Sequence, residues 1–146
     1  MEFLRDACDV VSDTQLSGHI RHLASRLIVS TLNNNKAEWK TLAVSKQNKI
    51  CEEVLVSLGD EDADVRRGAS SAMVALTEAR LSDTDDYVWR NLVNSLLAAL
   101  GEKYLPYRHG AVLTLGQLCE DIKPRHLSEK DTRALILGLL EQLRDP

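Results

Sequence analysis

His19 and His22 stand three residues apart in a stretch of helical character, a spacing at which two imidazoles leave one helix face and could share a metal ion. No carboxylate that could complete a metal site is obvious near them, and solvated or capping histidines are the commoner use of such a pair. Cys8, Cys51 and Cys119 are odd in number, lie far apart and form no C-x-x-C pair. Each sits among apolar residues, as a buried thiol in a reducing compartment does. The chain has no phosphate-cradling glycine loop, no nucleophile elbow and no H-E-x-x-H. Its paired acids fall in turns, where they meet the positive ends of helices. The expectation is therefore no catalytic set, no cofactor, no metal site and no enzyme.

The elements that would carry these residues repeat. Ile20-Arg21-His22-Leu23-Ala24, Val65-Arg66-Arg67-Gly68-Ala69 and Tyr107-Arg108-His109-Gly110-Ala111 begin 45 and then 42 residues apart. Each continues as an apolar helix rich in small residues: LASRLIVSTL, GASSAMVAL and GAVLTLGQL. The intervening helices EEVLVSLGD, VNSLLAALGE and ILGLLEQLRD end at Leu58, Leu100 and Leu143, at spacings of 42 and 43 residues. A period of roughly 40–47 residues marks HEAT or armadillo helical pairs. Such pairs cannot bury their apolar faces alone, so they stack into a solenoid with a long binding surface.

The expected fold is all-α, a right-handed HEAT-repeat α-solenoid of antiparallel helix pairs. It forms a single segment over 1–146 with about 3.5 repeats, at 1–35, 45–82, 86–123 and 127–146. The order reads A-B, A-B, A-B and then a lone A, which predicts a piece of a longer solenoid. Ser45 is expected to cap one helix and Gly59 to end it as a C′ glycine. Asp85 or Asp86 is expected to cap the next helix. Ser128 to Asp131 resembles a capping box, and Trp39 and Trp89 read as core anchors. A net charge of −4 argues against a direct nucleic-acid surface. No apolar run reaches the roughly 18 residues of a membrane span, and no signal peptide opens the chain, which reads as intracellular.

Asp60 precedes Arg66 by six residues, and Glu102 precedes Arg108 by six. These four residues read as a structural ladder of ion pairs between turns, worth about 0–1 kcal/mol each if exposed. Gln15 stands at the matching place before Arg21, so that rung is expected to be weakened or replaced. Small residues such as Gly68, Gly110 and Gly116 are expected to let neighbouring helices approach closely. The polar flank of the B helices is the candidate binding surface: His22, Ser25, Arg67, Ser70, Thr77, Glu78, His109, Gln117 and Glu120.

Taken together, these segments resemble a family. The stretch from Ala111 to Pro124, then Leu127 and the ending ALILGLLEQLRDP, is similar to the fourth and fifth HEAT repeats of the importin β (karyopherin β) family. Leu27 to Leu32, the Trp39 segment and Val54 to Gly59 resemble that family's N-terminal region. The resemblance implies a nuclear transport receptor that binds Ran-GTP through its B helices and releases cargo on doing so. It places the nine B-helix residues in the Ran-binding face. It also implies Phe-Gly nucleoporins, and cargo or adaptor protein, as partners of the full-length receptor. The implied location is cytoplasm and nucleus, with passage at the nuclear envelope and pore. A HEAT scaffold subunit of a phosphatase or chaperone assembly is the alternative the same repeats allow.

Overall fold

The computed structural model describes residues 2–81, 86–121, 129–142 and 144. Among the described residues the secondary structure is entirely helical. Helices α1 (Glu2–Ser12) and α2 (Gly18–Asn34) form the first pair, followed by the short α3 (Lys36–Thr41). Helices α4 (Val44–Ser57) and α5 (Ala63–Leu81) form the second pair. Helices α6 (Asp86–Leu100) and α7 (Leu105–Asp121) form the third, and α8 (Glu129–Gln142) stands alone after them.

Packing follows the two interleaved sequence patterns. The B helices make a row, with α5 on α2 and α7 on α5. On the A side α4 rests on α1, and α8 rests on α6. Each A helix supports its own B helix, through the α1–α2, α4–α5 and α6–α7 contacts. One continuous core lies between the layers, built from residues at three- and four-residue spacing such as Leu4, Cys8 and Val11 on α1 and Ile50 and Val54 on α4. Trp39 is fully buried in it, and Gln47 Nε2 donates to the carbonyl oxygens of Trp39 at 3.0 Å and Leu42 at 3.1 Å, fixing α3 against the start of α4.

Helix ends depart from expectation in physically specific ways. Ala43, not Ser45, is the residue before α4, and Ser45 lies within the first turn. Gly59 is not a left-handed terminator, for no described glycine has positive φ. The α4 end is closed by tight turns in which Leu58 N–H donates to Leu55 and Gly59 N–H to Val56. Gly59 is instead a space requirement, because the Tyr107 ring lies against it. The expected caps at Asp85 and Ser128, and the side chain of Trp89, lie outside the described residues.

The acidic turn before α5 is a set of main-chain partners. Asp60 Oδ1 accepts from Asp62 N–H at 2.9 Å, and Asp62 Oδ1 accepts from Asp64 N–H at 2.8 Å. Asp62 thus caps the free N–H groups at the α5 start.

Burial separates the thiols. Cys8 is enclosed in the core, where burial first and the Glu53 carboxylate second push its pKa up to about 12. Cys119, expected to be buried like the other two, is instead exposed on α7, and Cys51 is half-buried. Cys8 therefore stays protonated at pH 8, and the thiolate is the reactive form. In the native protein a thiol reagent is expected to modify Cys119 promptly and Cys8 only on unfolding; mass spectrometry of labelled peptides checks this. Above about pH 9 an unfolded chain would ionise Cys8 while the folded chain would not, so this residue lowers stability as alkaline pH rises.

Candidate functional site

The B-helix row carries all nine residues expected at the binding surface, but it does not expose them all. His109 and Glu120 on α7 and Arg67 on α5 are exposed, while His22, Glu78 and Gln117 are half-buried. Ser25, Ser70 and Thr77 are buried between helices. Their hydroxyls are used inside the fold. Ser25 Oγ donates to the Arg21 carbonyl at 3.2 Å, and Thr77 Oγ1 donates to Met73 at 2.7 Å, each four residues back along its own helix. Ser70 Oγ donates to Gln117 Oε1 at 2.9 Å across the α5–α7 junction. Thr114 Oγ1 lies 3.2 Å from Ser70 Oγ and 2.8 Å from the Gly110 carbonyl, completing a polar seam. Spending polar atoms this way lets small side chains be buried without an unmet hydrogen bond.

The accessible members are tied in place by their neighbours. His22 Nδ1 donates to the Asp64 carbonyl at 2.8 Å, which fixes the proton on that nitrogen because a carbonyl can only accept. That ring nitrogen is therefore committed to α5 and not available to a metal. Among the described residues no three His, Cys, Asp or Glu side chains come together to hold one. Arg67 Nη2 meets Asp64 Oδ1 at 3.3 Å, and Lys36 Nζ meets Glu78 Oε2 at 3.8 Å, both on the surface. The α2–α5 approach is close because Gly68 is a glycine: a Cβ there would stand 2.8 Å from Ser25 Cβ and 3.0 Å from His22 Nδ1.

The Asp60 carboxylate pairs with another side chain than the six-residue spacing suggests. The Asp60 carboxylate takes Arg21 of the preceding repeat through Nη2 to Oδ2. Arg21 Nε donates to the Val11 carbonyl at 2.8 Å, so one guanidinium ties α1, α2 and the α4–α5 turn together. Arg66 turns back to the carbonyl oxygens of Asp60 at 2.7 Å and Glu61 at 2.8 Å. The rung at Arg21, expected to be weakened by Gln15, is thus a buried inter-repeat pair, because its acid comes from the next repeat. Farther along, Arg108 is half-buried and Glu102 exposed; burial and then the Glu102 charge raise the pKa of Tyr107. Sequence reading also passed over Asp64, whose carbonyl and carboxylate hold His22 and Arg67. The Arg67 pair is a local i, i+3 contact within α5, whereas the His22 contact comes from α2 and has no local signal.

No described helix is long and apolar enough to cross a membrane. No family model matches the chain and no solved structure does. Over 126 residues the chain is 29 % identical to a transportin of Dictyostelium discoideum, a match that covers 86 % of this chain and 13 % of that relative. It is a distant likeness, and the chain spans only a small part of that relative's length.

Proposed function

We propose that this chain is a segment of a HEAT-type α-solenoid from a nuclear transport receptor, and that the exposed side of its α2–α5–α7 row binds Ran-GTP. The observation that carries the reading is the transportin similarity along 86 % of the chain. The helix packing supports it: three B helices lie side by side and set His22, Arg67, Glu78, His109, Gln117 and Glu120 along one row. In this reading Phe-Gly nucleoporins and cargo or adaptor protein engage the full receptor, which moves between cytoplasm and nucleus. The chain works by binding, without catalysis. Ran binding and cargo binding are coupled because each shifts the shape that the other recognises.

The test is retention of purified Ran on the immobilised chain, loaded with a non-hydrolysable GTP analogue in one arm and GDP in the other. Retention of the GTP form alone is expected, weakened about tenfold by Arg67→Ala combined with His109→Ala, two exposed changes that leave the core intact. Equal retention of both nucleotide forms, or of neither, would overturn the assignment.

A further inference from the structure

The chain is acidic as a whole, with a net charge of −4, yet one corner of it is basic. Between Lys36 and Lys49 stand four lysines and a single acid, Glu38. Lys36 and Lys40 lie one turn apart on α3, and Lys46 and Lys49 lie on the first two turns of α4. The bonds from Gln47 to the Trp39 and Leu42 carbonyls bring the end of α3 against the start of α4, so the two pairs share one corner. All four lysines are exposed. Lys36 meets Glu78 at 3.8 Å and Lys49 meets Glu53 at 3.7 Å, long surface pairs that cost little to exchange for another carboxylate. Lys46 stands in the first turn of α4, where the helix dipole favours an acid and the chain supplies none. Val44, 64 % exposed, is the apolar residue between the two lysine pairs. Helix α3 lies against α2 and α5, and α4 against α1 and α5, so helices of the chain flank the corner on both sides.

We infer that this α3–α4 corner is a docking site for a short acidic segment of a partner protein, one that carries several carboxylates around a single apolar residue. The argument is charge complementarity. The corner is opposite in sign to the chain as a whole, so an acidic segment is drawn to it and repelled elsewhere. Its carboxylates meet the two lysine pairs, its apolar residue covers Val44, and it brings the negative charge that the first turn of α4 lacks. Helix α4 sets the size of the occupant. Its 14 residues span about 20 Å and lead to the acidic turn from Asp60 to Asp64. That distance exceeds the Debye length of about 8 Å at physiological salt, so a short segment at the lysines is screened from those acids. A membrane surface or a long nucleic acid laid on the corner would extend to the acidic turn and meet like charge. The platform is also prepared in advance, because buried Trp39 and the two Gln47 bonds already fix α3, and little order has to be gained on binding. The corner lies off the B row, so the inference stands apart from the Ran reading.

A fluorescein-labelled peptide of sequence EDDLEEDE serves as probe and is titrated with the 146-residue chain, with anisotropy as the readout. Saturable binding is expected, weakened about tenfold or more by Lys40→Glu combined with Lys46→Glu. Lys103→Glu combined with Arg133→Glu changes the net charge equally at two other exposed positions and is expected to weaken binding less than about twofold. Circular dichroism establishes that each variant keeps its helix content. Absence of saturable binding, or an equal loss in the two double variants, overturns the proposal, since the second result would reflect net charge and not the corner. Vesicles containing phosphatidylserine and a single-stranded oligonucleotide form two further arms. Tighter binding of either through Lys40 and Lys46 would make a different class of molecule the occupant and overturn the proposal. Sedimentation of the protein alone covers the last case: a dimer dissolved by the Lys40→Glu and Lys46→Glu changes would make a second copy, through its own acidic turn, the occupant and would equally overturn it.

Discussion

Replacing Asp60 with alanine is expected to lower folding stability by about 3–5 kcal/mol, because it strands a buried positive charge. The pair it breaks is enclosed, with the Arg21 side chain 7 % and the Asp60 side chain 13 % exposed. Arg21 keeps one partner after the change, the Val11 carbonyl, but loses its counter-ion. Asp62 N–H also loses its acceptor, and with it the geometry of the turn that caps α5. An exposed pair would contribute only about 0–1 kcal/mol, so the size of the loss reports the burial. Arg21→Met combined with Asp60→Asn is expected to recover most of the loss. It removes the stranded charge, and the asparagine oxygen still accepts from Asp62. Urea unfolding of the two variants beside the parent measures both effects. A loss below about 1 kcal/mol for Asp60→Ala would mean that the pair behaves as an exposed one.

Two glycines on α7 should answer the same substitution with opposite signs. Gly110→Ala is expected to destabilise by about 1–3 kcal/mol, because its Cβ would overlap the main-chain carbonyl of Leu58. Main-chain atoms cannot rotate away as a side chain can, so α7 must lift from the end of α4. Gly116→Ala meets nothing within 4 Å. There the substitution removes unfolded-chain freedom from a helix interior and is expected to stabilise by about 0.5–1 kcal/mol. Thermal unfolding of both variants decides the matter. Stabilisation by both would show that helix propensity, rather than the α4–α7 approach, governs these positions.

The repeat period, the alternation of helix types and the buried state of Cys8 were legible in the amino-acid sequence because each depends on spacing along one helix. What lay beyond reach depends on which helices meet. Asp60 was read with Arg66, six residues on, since both belong to one turn and helix start. Its partner is Arg21, 39 residues earlier and in another repeat. Ser25 and Ser70 were placed on the polar flank because serine usually marks a wet face. They are buried because the next B helix covers that register position, and a hydroxyl can satisfy itself against its own helix. Gly116 was grouped with Gly68 and Gly110 as a packing residue, yet the space beside it is open. For Gly59 the composition was informative and the reason differed: the residue makes room for Tyr107 instead of reversing the chain. Of the candidate surface, Ser25, Ser70 and Thr77 are buried, because accessibility is decided by neighbours that periodicity does not name.

The two junctions of the B row are built from different materials. Between α2 and α5, Arg21 cannot leave Asp60 without abandoning a charge in a largely enclosed place. Between α5 and α7, Ser70, Thr114 and Gln117 share hydroxyl and amide groups, and Thr114 already has a second acceptor in the Gly110 carbonyl. Those groups can exchange partners through small shifts at little cost. Under a bending force the row therefore behaves as a stiff plate joined to a compliant one, and curvature is gained or lost first at the α5–α7 joint.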